Sequence, residues 1–152
     1  MTVRSFLAAL TLAAGLAPTL CLATPGLNER IVADPSTGIA LYGFDPVAYF
    51  VDGRPVPGRR DIEAEWNGAA WRFSSEANRA AFLSAPEVYA PRFGGYDPAG
   101  VSSGVAVAGH PLLFTVLGDR LYLFRTAADR DGFEGAAKAA AAWPKVLAGL
   151  TD

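Results

Sequence analysis

The sequence predicts a small, single α+β domain in which two short antiparallel hairpins pack against helices and a long helix closes the chain. Three observations predict it. Strand-forming residues flank Asn67-Gly68, a second pair of such segments flanks Gly118-Asp119-Arg120, and a helix signal follows each pair.

Before the domain, the chain opens with Arg4, the apolar run Phe6 to Leu16, a break at Pro18 and the small-residue ending Cys21-Leu22-Ala23. That order is the charged, apolar and cleavage-site sequence of an export signal, and the run is too short for a membrane span of about 20 residues. Residues 1–23 are therefore predicted to be a signal peptide cut after Ala23, which leaves no transmembrane segment. A rival reading makes Cys21 a lipidated first residue, but Leu20 stands where that signal wants a small side chain. Residues 24–37 read as an extended N-terminal arm and residues 38–152 as the domain.

Within the domain, Ile39 to Tyr42 reads as a short strand. Asp45 then caps a helical turn with Pro46 at its first position. Ile62–Trp66 and Ala70–Phe73 form the first hairpin around Asn67-Gly68, both of which tolerate positive φ. Ser74 or Ser75 caps a helix carrying Ala77, Ala81, Phe82 and Ala85 on one face, and Pro86 stops it or begins a short second one. Phe93-Gly94-Gly95-Tyr96-Asp97-Pro98 is a turn. Leu112–Leu117 and Leu121–Phe124 form the second hairpin. A helix from about Ala127 to Leu150, capped by Thr126 with Asp129 three residues on, ends the chain, and Pro144 is expected to kink or divide it. No internal repeat stands out.

Composition narrows the function. The chain has one cysteine, one methionine and one histidine, and a net charge of −2. Cys21 and Met1 both leave with the signal, and the signal carries only one basic residue, so the mature chain stays weakly acidic. It offers no basic face for nucleic acid. Without cysteine it has no disulfide framework, and stability must come from a packed core.

Gly43 to Phe50, Glu65 to Phe82, Pro86 to Pro91 and Gly94-Gly95-Tyr96 together resemble a YHS domain protein of the exported bacterial type. The resemblance covers about Gly38 to Trp143. It implies a metal-handling association, with cysteines as ligands in the metal-binding members. Here Ala48, the stretch Phe73 to Asn78, and Asp97 stand where such members carry cysteine. A soft ion such as Cu(I) is selected by thiolate or thioether, and the mature chain has neither.

What remains as candidate metal ligands is Asp45, Asp97 and His110, suited to a hard or borderline divalent ion. Each also has an ordinary structural duty: Asp45 as a cap, Asp97 as a turn residue before Pro98, His110 as a surface loop residue. Tyr49 and Tyr96 are candidate cofactor contacts, because an aromatic pocket for a flat ligand such as haem would draw on them and tyrosine can ligate haem iron. The same aromatic residues equally well form the core. Asp129 to Glu134 lacks the oxygen spacing of a calcium loop.

The first functional reading is an exported, non-catalytic binding or accessory module, periplasmic or secreted, with a divalent ion or an envelope protein as its partner. The second is a small enzyme or redox accessory using the Gly94-Gly95-Tyr96-Asp97 turn, with Asp97 as general base. The third is a scaffold that docks another protein through an exposed apolar patch.

Overall fold

The computed structural model describes residues 30–150. The predicted signal peptide and the start of the arm lie outside the described residues. Ten elements follow: α1 (Ala48–Val51), β1 (Arg59–Trp66), β2 (Ala69–Phe73), α2 (Glu76–Ser84), α3 (Pro86–Tyr89), α4 (Pro98–Ser102), β3 (His110–Val116), β4 (Leu121–Phe124), α5 (Ala127–Asp131) and α6 (Ala137–Ala148). β1 pairs with β2 and β3 with β4, each antiparallel, giving two separate two-stranded sheets. This is the predicted α+β arrangement of two hairpins among helices.

Contrary to the sequence reading, the chain repeats itself. Leu41–Gly43 and Arg92–Gly95 are both single 3-10 turns with left-handed backbone, and each leads into an aromatic residue, an aspartate and a proline: Phe44-Asp45-Pro46 and Tyr96-Asp97-Pro98. The next step matches as well: the Asp45 N–H donates to the Val56 carbonyl and the Asp97 N–H to the Val107 carbonyl, both at 2.8 Å. In the first hairpin Arg59 faces Phe73, a bulge follows, and Glu63 faces Arg72. In the second, His110 faces Phe124, a bulge follows, and Phe114 faces Leu123.

Close packing explains a glycine common to both halves. A Cβ on Gly58 would lie 2.5 Å from Arg72 Cβ, and one on Gly109 would lie 2.6 Å from Leu123 Cβ, so neither position accepts a side chain. After each hairpin a hydroxyl residue caps a helix, Ser75 for α2 and Thr126 for α5. Ring pairs also recur: Phe73–Phe82 at 5.2 Å and Trp71–Phe82 at 5.0 Å against Phe124–Phe133 at 5.1 Å and Tyr122–Phe133 at 4.9 Å. The repeat is hard to see in the sequence because most positions differ; the recurring ones are turn glycines, caps and aromatics.

Two hydrophobic clusters result. The first is built on Tyr49, Trp71, Phe73 and Phe82, the second on Phe93, Tyr122, Phe124 and Val146. β4 lies between them: Leu121 and Leu123 join the first cluster, Tyr122 and Phe124 the second, so all four residues are buried. A strand buried on both faces reads as a continuous apolar run, as Leu121 to Phe124 does.

Two boundaries differ from expectation. Ile39 and Ala40 make only isolated bridges before the chain turns at Leu41, whose φ of 52° and that of Tyr42 at 54° end any strand. The predicted closing helix is two helices, α5 and α6. The break falls at Gly132, the C-cap of α5, and Gly135, whose φ is 153°, while Pro144 sits inside α6. Finally, the described part of the arm is docked: Ile31 and Val32 are buried, and the Val32 N–H donates to the Gly94 carbonyl at 2.7 Å.

Candidate functional site

Asp45 sits at the end of the first 3-10 turn and is fully buried. Its Oδ1 accepts from the Val47 N–H at 2.9 Å. Its Oδ2 accepts from the Ser74 N–H at 2.8 Å, Ser74 Oγ at 2.6 Å and Asn78 Nδ2 at 2.7 Å. Four donors on one carboxylate tie α1, β2 and α2 into a knot, and they occupy the lone pairs a cation would need. Ser74 and Asn78 are the partners that sequence reasoning missed. A polar Asn on the buried side of a helix after a cap was the available signal.

Tyr49, one turn on, is 1% exposed. Its hydroxyl donates to the Pro111 carbonyl at 2.9 Å and its ring meets Phe114 edge-on at 4.9 Å. Burial, and secondarily the Asp45 charge, push the phenol well above its ordinary pKa. The group therefore stays protonated and acts as a hydrogen-bonded strut between the two halves.

Asp97 is 3% exposed and caps α4, accepting from the Ala99 N–H at 3.0 Å. The Arg125 backbone and the Asp129 carboxyl lie within its electrostatic reach. Desolvation first, then the charge and contact of Asp129, raise its pKa, against the lowering effect of the two backbone donors. Tyr96 is half-buried, 6.2 Å from the Trp143 ring, and its backbone N–H closes the second 3-10 turn on Phe93. His110 is exposed at the head of β3, where its Nδ1 accepts from the Leu112 N–H at 3.2 Å.

The five predicted site residues are thus not one site. Asp45 and Tyr49 belong to the first half, Asp97 and Tyr96 to the second, and His110 lies at the surface. Among the described residues no group of three or more His, Cys, Asp or Glu is placed to hold a metal ion. With no thiolate and with both Asp45 oxygens taken, these residues do not fit the soft-metal site that the resemblance implied.

Two adjoining clefts of about 210 and 190 Å³ lie where the halves meet, sharing Trp66, Ala90, Pro91 and Trp143. Each is smaller than the roughly 300–1,000 Å³ of a typical cofactor pocket. The largest departure between the halves is on the hairpins. β1 exposes Arg59, Arg60, Asp61, Glu63 and Glu65, with Glu63 paired to Arg72 at 2.7 Å. Aligned by register, β3 carries Leu112 in place of Asp61 and Val116 in place of Glu65, and with Leu117 these are 52%, 37% and 46% exposed.

A family model described as the YHS domain matches residues 47–93. No curated protein and no solved structure matches the chain. The match begins two residues past Asp45 and ends at Phe93 within the second 3-10 turn, so it covers most of the first half and little of the second. Such a domain points toward a binding module of the metal-related class. The protein is a YHS domain-containing protein, its YHS domain lying over residues 47–93.

Proposed function

We propose that this protein is an exported, non-catalytic binding module that docks a partner protein of the envelope through the outer side of the second hairpin. The observation that carries this reading is the apolar surface of Leu112, Val116 and Leu117, at the first two of which the otherwise equivalent first hairpin carries the charges of Asp61 and Glu65. Exposed apolar residues gathered on one element favour protein contact over solvation. The export signal supports an envelope location, and the saturated Asp45 argues against a resident ion there.

The test is site-specific photocrosslinking from positions 112 and 116 in intact cells. A discrete adduct with one envelope protein, abolished when L112D and V116E give β3 the charges of β1, is the expected result. The reading is overturned if no discrete adduct forms, or if the adduct survives those substitutions. Titration with divalent ions separates the metal reading, which requires stoichiometric heat from the native mature protein.

One observation favours the enzymatic alternative: Asp97 is buried with a raised pKa. Against it, the carboxyl is closed off from solvent and already engaged as the cap of α4 by the Ala99 N–H. That environment explains the raised pKa without catalysis.

A further inference from the structure

The two clefts at the junction of the halves share an aromatic centre and differ at their ends. Trp66, Ala90, Pro91 and Trp143 line both. The two indoles come one from each half. Trp66 ends β1 and meets Trp71 at 5.9 Å and Phe82 at 5.8 Å; Trp143 lies on α6 and meets Phe93 at 5.7 Å and Tyr96 at 6.2 Å. Each ring is thus fixed by its own aromatic cluster yet stays partly exposed, so little further ordering is needed when a ligand meets it. The fold itself does not ask for an indole at the end of β1. One step past Val116, Leu117 stands at that position of the second hairpin.

The larger cleft, of about 210 Å³, adds Glu87 in the first turn of α3 and Arg92 at the start of the second 3-10 turn. Both are exposed, and among the described residues neither forms an ion pair, with the other or with a third group. The Arg92 guanidinium lies 5.6 Å from the centre of the Phe93 ring, a cation–π contact that holds it in place without neutralising it. Between the two charges the chain runs through Ala90 and Pro91, both buried and apolar. The smaller cleft adds Leu147 and Gly94, together with Arg30 and Asn67, which already have partners.

We infer that this cleft binds a small zwitterion with an apolar body, the chemical class of an apolar α-amino acid. Its carboxylate meets Arg92, whose planar fork matches two carboxylate oxygens, and its ammonium meets Glu87. Its side chain lies against Trp66 and Trp143. The two protein charges select for both groups at once. A carboxylate alone would face Glu87 with like charge and an amine alone would face Arg92 with like charge, and such juxtapositions suppress a wrong partner. The volume suits one ring or one branched chain and excludes a cofactor-sized molecule. Because one indole belongs to each half, an occupied cleft also ties the halves together. The site is separate from the outer side of β3 and does not depend on what docks there.

The probe is L-phenylalanine, titrated into the mature protein while tryptophan emission is read. A saturable change that fits one site per chain is expected. Phenylpropanoate lacks the ammonium and phenylethylamine lacks the carboxylate, and each is expected to bind about tenfold more weakly, the loss of one charge-assisted contact. R92Q should remove the advantage of phenylalanine over phenylethylamine, and E87Q its advantage over phenylpropanoate. Both side chains are exposed, so both variants should keep the native circular dichroism. The absence of a saturable change, comparators that bind as tightly as phenylalanine, or variants that weaken all three compounds alike would overturn the inference.

Discussion

The two halves share a backbone plan and differ in what fills it. The first encloses its aromatic rings: Trp71, Phe73 and Phe82 are each 0% exposed, and its central carboxylate has four donors. The second leaves Phe133 half-exposed and turns apolar residues outward on its hairpin. The difference teaches that one geometry tolerates a fully satisfied interior and a compromised one. The compromised copy is where a new role has room to arise.

The largest expected effect compares the two cores. F82A should cost about 3–5 kcal/mol in urea unfolding, as loss of a buried ring does, and F133A about half of that, because its ring is already partly hydrated. Equal losses would show that the second core is no weaker than the first. Next come the matched glycines. G58A and G109A should each destabilise by about 1–3 kcal/mol, since each new methyl group meets a neighbouring strand, and a clear inequality would break the equivalence of the bulged hairpins. N78D gives the first half the residue that stands at the matching position of the second, Asp129. It should cost about 1–3 kcal/mol at pH 7 by turning a donor into a charge beside Asp45, and less near pH 4, where the added carboxyl is protonated. Smallest is L112D with V116E, expected to change stability by no more than about 0.5 kcal/mol while removing the crosslinked partner; a large loss of stability would make this strand part of the core.

Much of this was legible in the sequence. Asn67-Gly68 and the Gly118-Asp119 pair announced both hairpins, because positive φ at adjacent positions is a local requirement that few residues meet; the four φ values are 50°, 73°, 58° and 54°. A cap at Ser74 or Ser75 and one at Thr126 were legible because a hydroxyl at a helix start satisfies a free backbone N–H, and the structure puts the first at Ser75. The break between α5 and α6 was not. Pro144 looked like the stronger breaker, yet Gly132 and Gly135 divide the helix and the proline is carried within α6.

The candidate site was legible only residue by residue. Asp45 and Asp97 were singled out as candidate metal ligands with capping and turn duties as the alternative, and both are buried carboxylates that accept backbone N–H groups at helix starts. Their partners lie 29 to 33 residues away for Asp45, a separation at which spacing alone carries no information. The repeat escaped notice because its aligned positions preserve backbone function and not chemical identity: Ser74 aligns with Arg125, and Asp61 with Leu112.

The pairing of Val32 with Gly94 carries a consequence for the order of events in folding. The Val32 N–H reaches the Gly94 carbonyl, while the Val32 carbonyl receives the Leu41 N–H at 3.1 Å. The earliest described residues are thus held at once by the first turn and by the second, far along the chain. A polypeptide is made from its N-terminus, so this segment waits, half-bonded, until the second turn exists. Contacts of such long sequence separation form slowly. Completion of the first half is therefore governed by the arrival of the second, and a chain truncated before Gly94 would keep Ile31 and Val32 without their final seat.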